Sequence, residues 1–192
     1  MKRYHLEWRW GDEAIYRRSQ ASNRRRESFC WSLSLALMLP DICASLEDPG
    51  PGKSQKRYER WCRKWLEPKF TRDVGGPTER HVFVSAEDCF QLRCSLIHSG
   101  TTTVATEKVK DLTGFEFFDG KLSSHMNYVN SDIGGDRISI LQLRADMFSN
   151  TIFDAVDEWD IATAEDPLVS AEKAKLLTIR TQGFVIGGVK FM

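Results

Sequence analysis

The sequence predicts a mainly α fold of the α+β class, a helical core with a small β-hairpin or sheet in the second half. Three observations lead there. Apolar residues recur at helical spacing through the segments around 22–39, 54–66, 85–98 and 145–164. After Gly100 the texture changes to short β-rich stretches framed by turn-like glycines. The composition, 41% hydrophobic and 28% charged over 192 residues with six Trp and eleven Phe, suits a globular chain that buries a sizeable core. One domain spanning 1–192 is expected. It divides into an N-terminal extension (1–21), a helical core (22–100), a β-rich insertion (101–143) and C-terminal helices with a tail (144–192).

Taken in order, the first element is a strand. Tyr4, Leu6, Trp8 and Trp10 alternate with His5, Glu7 and Arg9 up to Gly11-Asp12. From about Ser22 the pattern turns helical and is apolar nearly all round between Phe29 and Leu39, as a buried central helix requires. Pro40 is expected to interrupt it, leaving a short helix from Asp41 to Glu47 that carries Ile42, Cys43 and Leu46 on one side. The run Asp48-Pro49-Gly50-Pro51-Gly52 is a loop. Tyr58, Trp61, Cys62 and Trp65 then mark the apolar side of a basic amphipathic helix.

Ser85 heads the next helix with Glu87 and Asp88 in its first turn, and Gly100 stops it shortly after His98. Gly114–Asp119 and Arg137–Leu143 are the β-rich segments. Asp146–Ala164 is helical, with Met147, Ile152, Phe153, Val156 and Trp159 as its apolar side and an acidic opposite side suited to docking on the basic helix. Asp166-Pro167 caps a last helix running to about Thr181, followed by a Gly-rich apolar tail from Gly183 to Met192.

Several function classes lose support. The 27 basic residues cancel the 27 acidic ones, so net charge does not indicate a strongly basic nucleic-acid binder, and only local patches remain. No P-loop, dinucleotide fingerprint, nucleophile elbow or metal-binding His-Glu helix is present. Five cysteines, Cys30, Cys43, Cys62, Cys89 and Cys94, show neither C-x-x-C pairs nor zinc spacing, so neither disulfides nor zinc are expected. His5, His81 and His125 are scattered, and no metal or cofactor is expected. The longest apolar run, Phe29–Leu39, is shorter than the roughly 20 residues a membrane span needs. No membrane contact and a cytoplasmic location are therefore the expectation.

Two features invite a chemical reading. Lys53, Lys56, Arg57, Arg60, Arg63 and Lys64 cover the outer faces of the basic helix, either as an RNA-backbone contact or as a solvated surface. Arg93 lies within about 60° of Ala86, Cys89, Phe90, Leu96 and Ile97 on a helical wheel, a charged group amid an apolar stripe. A buried guanidinium demands a partner, for which Asp41 and Glu47 are the best choices. Alternatively, Arg93 binds a phosphate through its planar fork while His98 transfers a proton near neutral pH. Positions five apart on a straight helix diverge by about 140°, so one copy converges poorly and two copies across a dimer can converge.

The block Leu92-Arg93-Cys94-Ser95-Leu96-Ile97-His98-Ser99-Gly100 resembles the R-x(4-6)-H motif of the HEPN families. These are compact helical domains, many of them metal-independent endoribonucleases of toxin, CRISPR and antiphage systems whose paired motifs meet at a homodimer interface. The resemblance implies Arg93 for the scissile phosphate and His98 for proton transfer to or from the ribose 2′-hydroxyl or leaving oxygen. Cys94 stands where that motif commonly has a polar residue, often Asn. A wider string through Leu39–Cys43, Leu46-Glu47, Tyr58, Trp61, Pro68, Ser85–Cys89 and Arg93–Gly100 is similar to a family of uncharacterised bacterial proteins. It groups Asp41, Glu47 and Arg93, with Asp88 and Cys94 as further supporting positions.

Two functions follow as expectations. The first is a HEPN-like RNA-binding protein or metal-independent endoribonuclease, acting as a homodimer with a cognate neutralising or signalling partner. The other is a non-catalytic interaction domain in which Arg93 is an ion-pair partner of Asp41 or Glu47.

Overall fold

A computed structural model describes residues 10–52, 54–76, 79–102, 112–119, 125–133, 136–177 and 184–191. The fold is mainly helical with small sheets. Helix α1 (Trp10–Glu47) is 38 residues long, about 57 Å at 1.5 Å per residue. It buries Leu33, Ala36, Leu37, Ala44 and Leu46 against the helices that follow.

Two expectations about this region are corrected. Trp10, Gly11 and Asp12 belong to α1 rather than to the end of a strand, and residues 4–9 of that strand lie outside the described residues. The stretch after Gly11, with five Arg, two Glu, two Ala and one Gln from Asp12 to Glu27, is rich in good helix formers, which carries the helix through it. Pro40 does not interrupt the helix but lies inside it, so Asp41–Glu47 continues α1. Proline removes an N–H and crowds the preceding turn, at a cost of about 3 kcal/mol in a helix interior. The carbonyl left without its helical donor is that of Ala36, and tertiary packing offsets the cost: Pro40 is itself buried, and beside it the Tyr58 hydroxyl fastens α1 by donating to the Leu37 carbonyl (3.1 Å).

Helix α2 (Ser54–Trp61) runs into a π-helical turn (Cys62–Leu66) and a 3₁₀ turn (Glu67–Phe70). Tyr58, Trp61, Leu66 and Phe70 are buried, as the helical spacing of the first two requires. A short antiparallel hairpin, β1 (Thr71–Asp73) and β2 (Arg80–Val82), leads to α3 (Ala86–Ser99). The predicted caps of α3 are present. Ser85 and Asp88 form a reciprocal capping box, and Gly100 closes the helix at φ +65°, a left-handed conformation that glycine adopts without a Cβ clash.

The β-rich half is a three-stranded sheet in the order β3 (Gly114–Phe118), β5 (Asp136–Arg144), β4 (Asn127–Ile133). β3 pairs in parallel with β5, aligning Phe115 with Leu141, while β4 pairs antiparallel with β5. Phe115, Leu141 and Leu143 are buried on the helix side, packing with the helical core. Strand β4 has no counterpart among the expected segments, because Asn127, Asn130, Ser131 and Asp132 dilute its β signal.

Helix α4 (Ala145–Ala162) packs chiefly on α1 and also on the π-helical turn after α2. Its inner face is rotated from the predicted one. Phe148, Ile152, Ala155 and Trp159 are buried and Phe153 and Val156 are half-buried, while Met147 is exposed. Helix α5 (Pro167–Lys173) starts at the Asp166 cap as predicted but is shorter than predicted, with turns to Leu176. The apolar tail forms a hairpin, β6 (Phe184–Ile186) and β7 (Val189–Phe191), turning at Gly187-Gly188 with φ +57° and +84°. Two adjacent positive φ values are the requirement of a tight hairpin turn and the reason for the glycine pair.

Candidate functional site

Tyr58 ties α1 to α3. Its hydroxyl reaches the Leu37 carbonyl and sits 3.5 Å from the Cys89 thiol. Four residues further along both helices, the Arg93 Nη2 donates to Asp41 Oδ2. The step has the same sign on each helix, so α1 and α3 lie side by side and run in the same direction.

The Arg93 and Asp41 side chains keep 20% and 27% of their exposure, at the rim of the core rather than deep within it. Arg93 Nε is buried without a partner, and Nη1 lies 4.0 Å from the half-buried Cys94 thiol. The guanidinium is thus anchored at one nitrogen and under-satisfied at another. The unsatisfied Nε is out of reach of solvent, so a further anionic oxygen can meet only the part of the guanidinium that stays exposed at the rim.

Of the two carboxylates proposed for Arg93, the structure brings up Asp41. Glu47 instead accepts a hydrogen bond from Trp159 Nε1 on α4 (2.8 Å). That partner went unnoticed in the sequence because Trp159 is 112 positions away, and only the packing of α4 on α1 makes the pair. Asp88 serves the α3 N-terminus, its carboxylate accepting from the Ser85 backbone (3.0 Å) and hydroxyl (2.7 Å). His98 is exposed in the last turn of α3 and followed by exposed Ser99 and Gly100. It lies about 7.5 Å along the helix from Arg93 and about 140° around it.

The basic residues after the loop are largely engaged in holding neighbouring chain. Arg57 donates to the carbonyls of Asp48 and Gly50 (2.8 Å each), which pins the proline–glycine loop. Arg60 pairs with Asp48 at 2.9 Å, Arg63 pairs with Glu87 at the start of α3, and Lys64 lies over the Trp65 ring at 4.6 Å. Lys56 is exposed, and Lys53 lies outside the described residues. Exposed pairs of this kind stabilise weakly, and they neutralise part of the face.

Among the described residues, no group of three or more His, Cys, Asp or Glu is placed to hold a metal ion. His125 accepts from the Arg144 backbone N–H (3.2 Å), and its pKa is lowered by burial and then by the Arg144 charge. Burial, and then the neighbouring Glu47, push the Cys43 thiol up to about 12. Cys43 is therefore a poor nucleophile, and it lies in the core while His98 faces solvent. All five cysteines are free thiols, and only Cys30 is exposed.

One stretch of α1, Ser28–Glu47, is long and apolar enough by length and composition to cross a membrane. It exceeds the Phe29–Leu39 run because Asp41 is the only charge between Ser28 and Leu46. The helix is also sided in a way that the sequence reading missed: Leu33, Ala36 and Leu37 are buried while Trp31, Leu35, Met38 and Ile42 face out. Their 4-3-4 spacing was the available signal. The comparisons supply no relative: no protein-family model matches the chain, and neither a curated protein nor a solved structure matches it.

Proposed function

We propose that this chain is a HEPN-like RNA-binding protein or metal-independent endoribonuclease, with Arg93 gripping a backbone phosphate and His98 exchanging a proton with the 2′-hydroxyl or leaving oxygen. The observation that carries this reading is the state of Arg93. Its guanidinium is oriented by Asp41, stays partly exposed at the rim of the core, and shares a helix end with an exposed histidine. The open α3 terminus gives an RNA strand room to bend from one side chain to the other. Homodimerisation, a cytoplasmic toxin or antiphage-defence setting and a cognate neutralising or signalling partner belong to the same proposal. The exposed parts of Lys56, Arg60 and Arg63 offer secondary backbone contacts beside the start of α3.

Cleavage of an end-labelled mixed-sequence RNA in EDTA tests it, run beside Arg93→Ala and His98→Ala with the melting temperature of each recorded. The expected result is cleavage by the wild type and a drop of at least about a hundred-fold in both folded variants, the scale of a lost general acid or base. Cleavage unchanged in His98→Ala would sink the assignment of that residue.

The ion pair itself favours a second reading, a non-catalytic interaction domain in which Arg93 and Asp41 fasten α3 to α1. That reading predicts no cleavage and no RNA binding by the wild type, with a marked loss of stability in Arg93→Ala.

A further inference from the structure

We infer that the seam between the β1–β2 hairpin and the start of β4 binds one nucleotide of a single-stranded nucleic acid, its phosphate at Arg72 and His125 and its base against His81 and Tyr128. The site is separate from Arg93 and His98 and does not depend on their chemistry.

The hairpin register builds it. Arg72 lies opposite His81, and Phe83 continues the pairing by donating its N–H to the Phe70 carbonyl (2.9 Å), so these four side chains share one face. That face meets β4. The Phe70 ring lies 6.4 Å from the His125 ring, and the His81 and Phe83 rings lie 5.3 and 5.5 Å from the Tyr128 ring. Between them the chain passes through Met126, which at φ +58° takes a left-handed conformation that non-glycine residues rarely adopt. Two histidines 44 positions apart in the sequence thus come to one seam.

The phosphate half has donors that are held in place and unspent. Arg72 Nη1 donates to the carbonyls of Lys69 and Thr71 (2.9 and 2.8 Å), which orients an exposed guanidinium. Unlike Arg60, Arg63, Arg93 and Arg144, it has no carboxylate partner among the described residues, so its charge is not neutralised. Asp73 and Arg80 oppose each other on the other face of the hairpin. His125 accepts the Arg144 backbone N–H on Nδ1, so the neutral ring keeps a proton on Nε2 to donate. Its pKa is lowered first by burial and then by Arg144, and the Arg72 charge acts in the same direction, which places the two groups near each other. A phosphate oxygen satisfies both.

The base half is the exposed His81 ring. Its Nε2 lies 3.2 Å from the Tyr128 hydroxyl, which in turn donates to the Phe83 carbonyl (3.3 Å). It meets the Phe83 and Tyr128 rings nearly at right angles (85° and 80°), so neither neighbour is stacked on it and a base can be. Directly opposed strand residues stand about 5.5 Å apart, which sets a phosphate group and an aromatic group side by side as a nucleotide does. A bare anion would leave the rings unused, and an apolar peptide would leave Arg72 unpaired.

Ring-proton NMR of the full chain reads the site directly, because its four histidines are separate reporters. On titration with uridine 5′-monophosphate, and then with an oligouridylate of about ten nucleotides, His81 and His125 are expected to shift with both. A shift confined to His98, or no shift up to roughly 10 mM nucleotide, overturns the site. In fluorescence anisotropy, His81→Ala is expected to weaken the labelled oligomer at least about tenfold and to leave an abasic oligomer unaffected. Arg72→Gln should reduce the slope of log affinity against log salt by about 0.7, one phosphate contact on a single strand. Both side chains are exposed, so each variant should melt near the wild-type temperature. Binding that is lost in Arg93→Ala and unchanged in these two variants overturns the site in favour of the α3 end. Mononucleotide binding as tight as that of the oligomer overturns the strand as its ligand. Binding that depends on Arg72 and His81 without any cleavage upholds the site while the nuclease reading fails.

Discussion

At the scale of single residues, Arg93 sets the terms. A guanidinium in an apolar stripe is tolerated because Asp41 meets it across two helices that run side by side. Removing one partner of a half-buried pair leaves the other charge poorly solvated, a loss of about 1–3 kcal/mol. Asp41→Ala and Arg93→Ala are therefore each expected to lower the melting temperature by several degrees, given roughly 2–4 °C per kcal/mol at this size. The double variant should cost clearly less than the sum, since the stranded charge disappears with its partner. Strict additivity in thermal melts would argue that the two side chains do not interact in solution. The demand for a partner was legible in the sequence, and so was a short list of two carboxylates. Which of them answers was not, because Glu47 is claimed by Trp159 through the docking of α4.

At the scale of elements, local signals held where the chemistry was local. Ser85, Asp88 and Gly100 delimit α3 by capping geometry that needs no distant residue. Ser85→Ala should cost about 1 kcal/mol, and Gly100→Ala a similar amount for a Cβ forced into positive φ. Hydrogen exchange checks both: faster exchange confined to the first turn for Ser85→Ala and to the last turn for Gly100→Ala, with the middle of α3 retained. Pro40 shows the opposite case. Its ring carries a strong stop signal, yet α1 passes through it because the turn around Pro40 is buried under the helices that pack on it. The inner face of α4 was misjudged for a related reason. Met147 and Phe148 sit one step apart on the wheel, and the sheet and Phe70 select Phe148.

At the scale of the whole molecule, the buried thiols and phenol couple stability to pH. Cys43 is raised by burial, and Cys62 and Tyr58 are shifted the same way for the same first cause. An acid raised in the folded state holds its proton longer there than in the unfolded chain. For Cys43 the stabilising effect is therefore complete below the unfolded thiol range and is lost as pH rises from about 9 towards about 12, and Cys62 and Tyr58 add to the loss in the same direction. The melting temperature is expected to fall over that window, and less steeply in Cys43→Ala. His125 acts in the other direction. Its pKa is lowered, so the stability it contributes is present above about pH 6.5 and declines as the solution is acidified. A flat melting profile between pH 8 and 11 would show that the thiols ionise without penalty, contrary to their burial.

By itself the sequence determined the class of fold, the four main helical segments, the caps of α3 and the need for a carboxylate beside Arg93. Each of these follows from periodicity or from groups a few residues apart. Tertiary structure decided that α1 is continuous through Pro40, that Asp41 rather than Glu47 holds Arg93, and that β3 and β5 run in parallel with β4 beyond them. It also decided that the apolar stretch of α1 has an inside and an outside. The reason is common to all four. Which of two chemically equivalent residues is buried or paired depends on the surface brought against it, and that surface comes from parts of the chain tens of residues away.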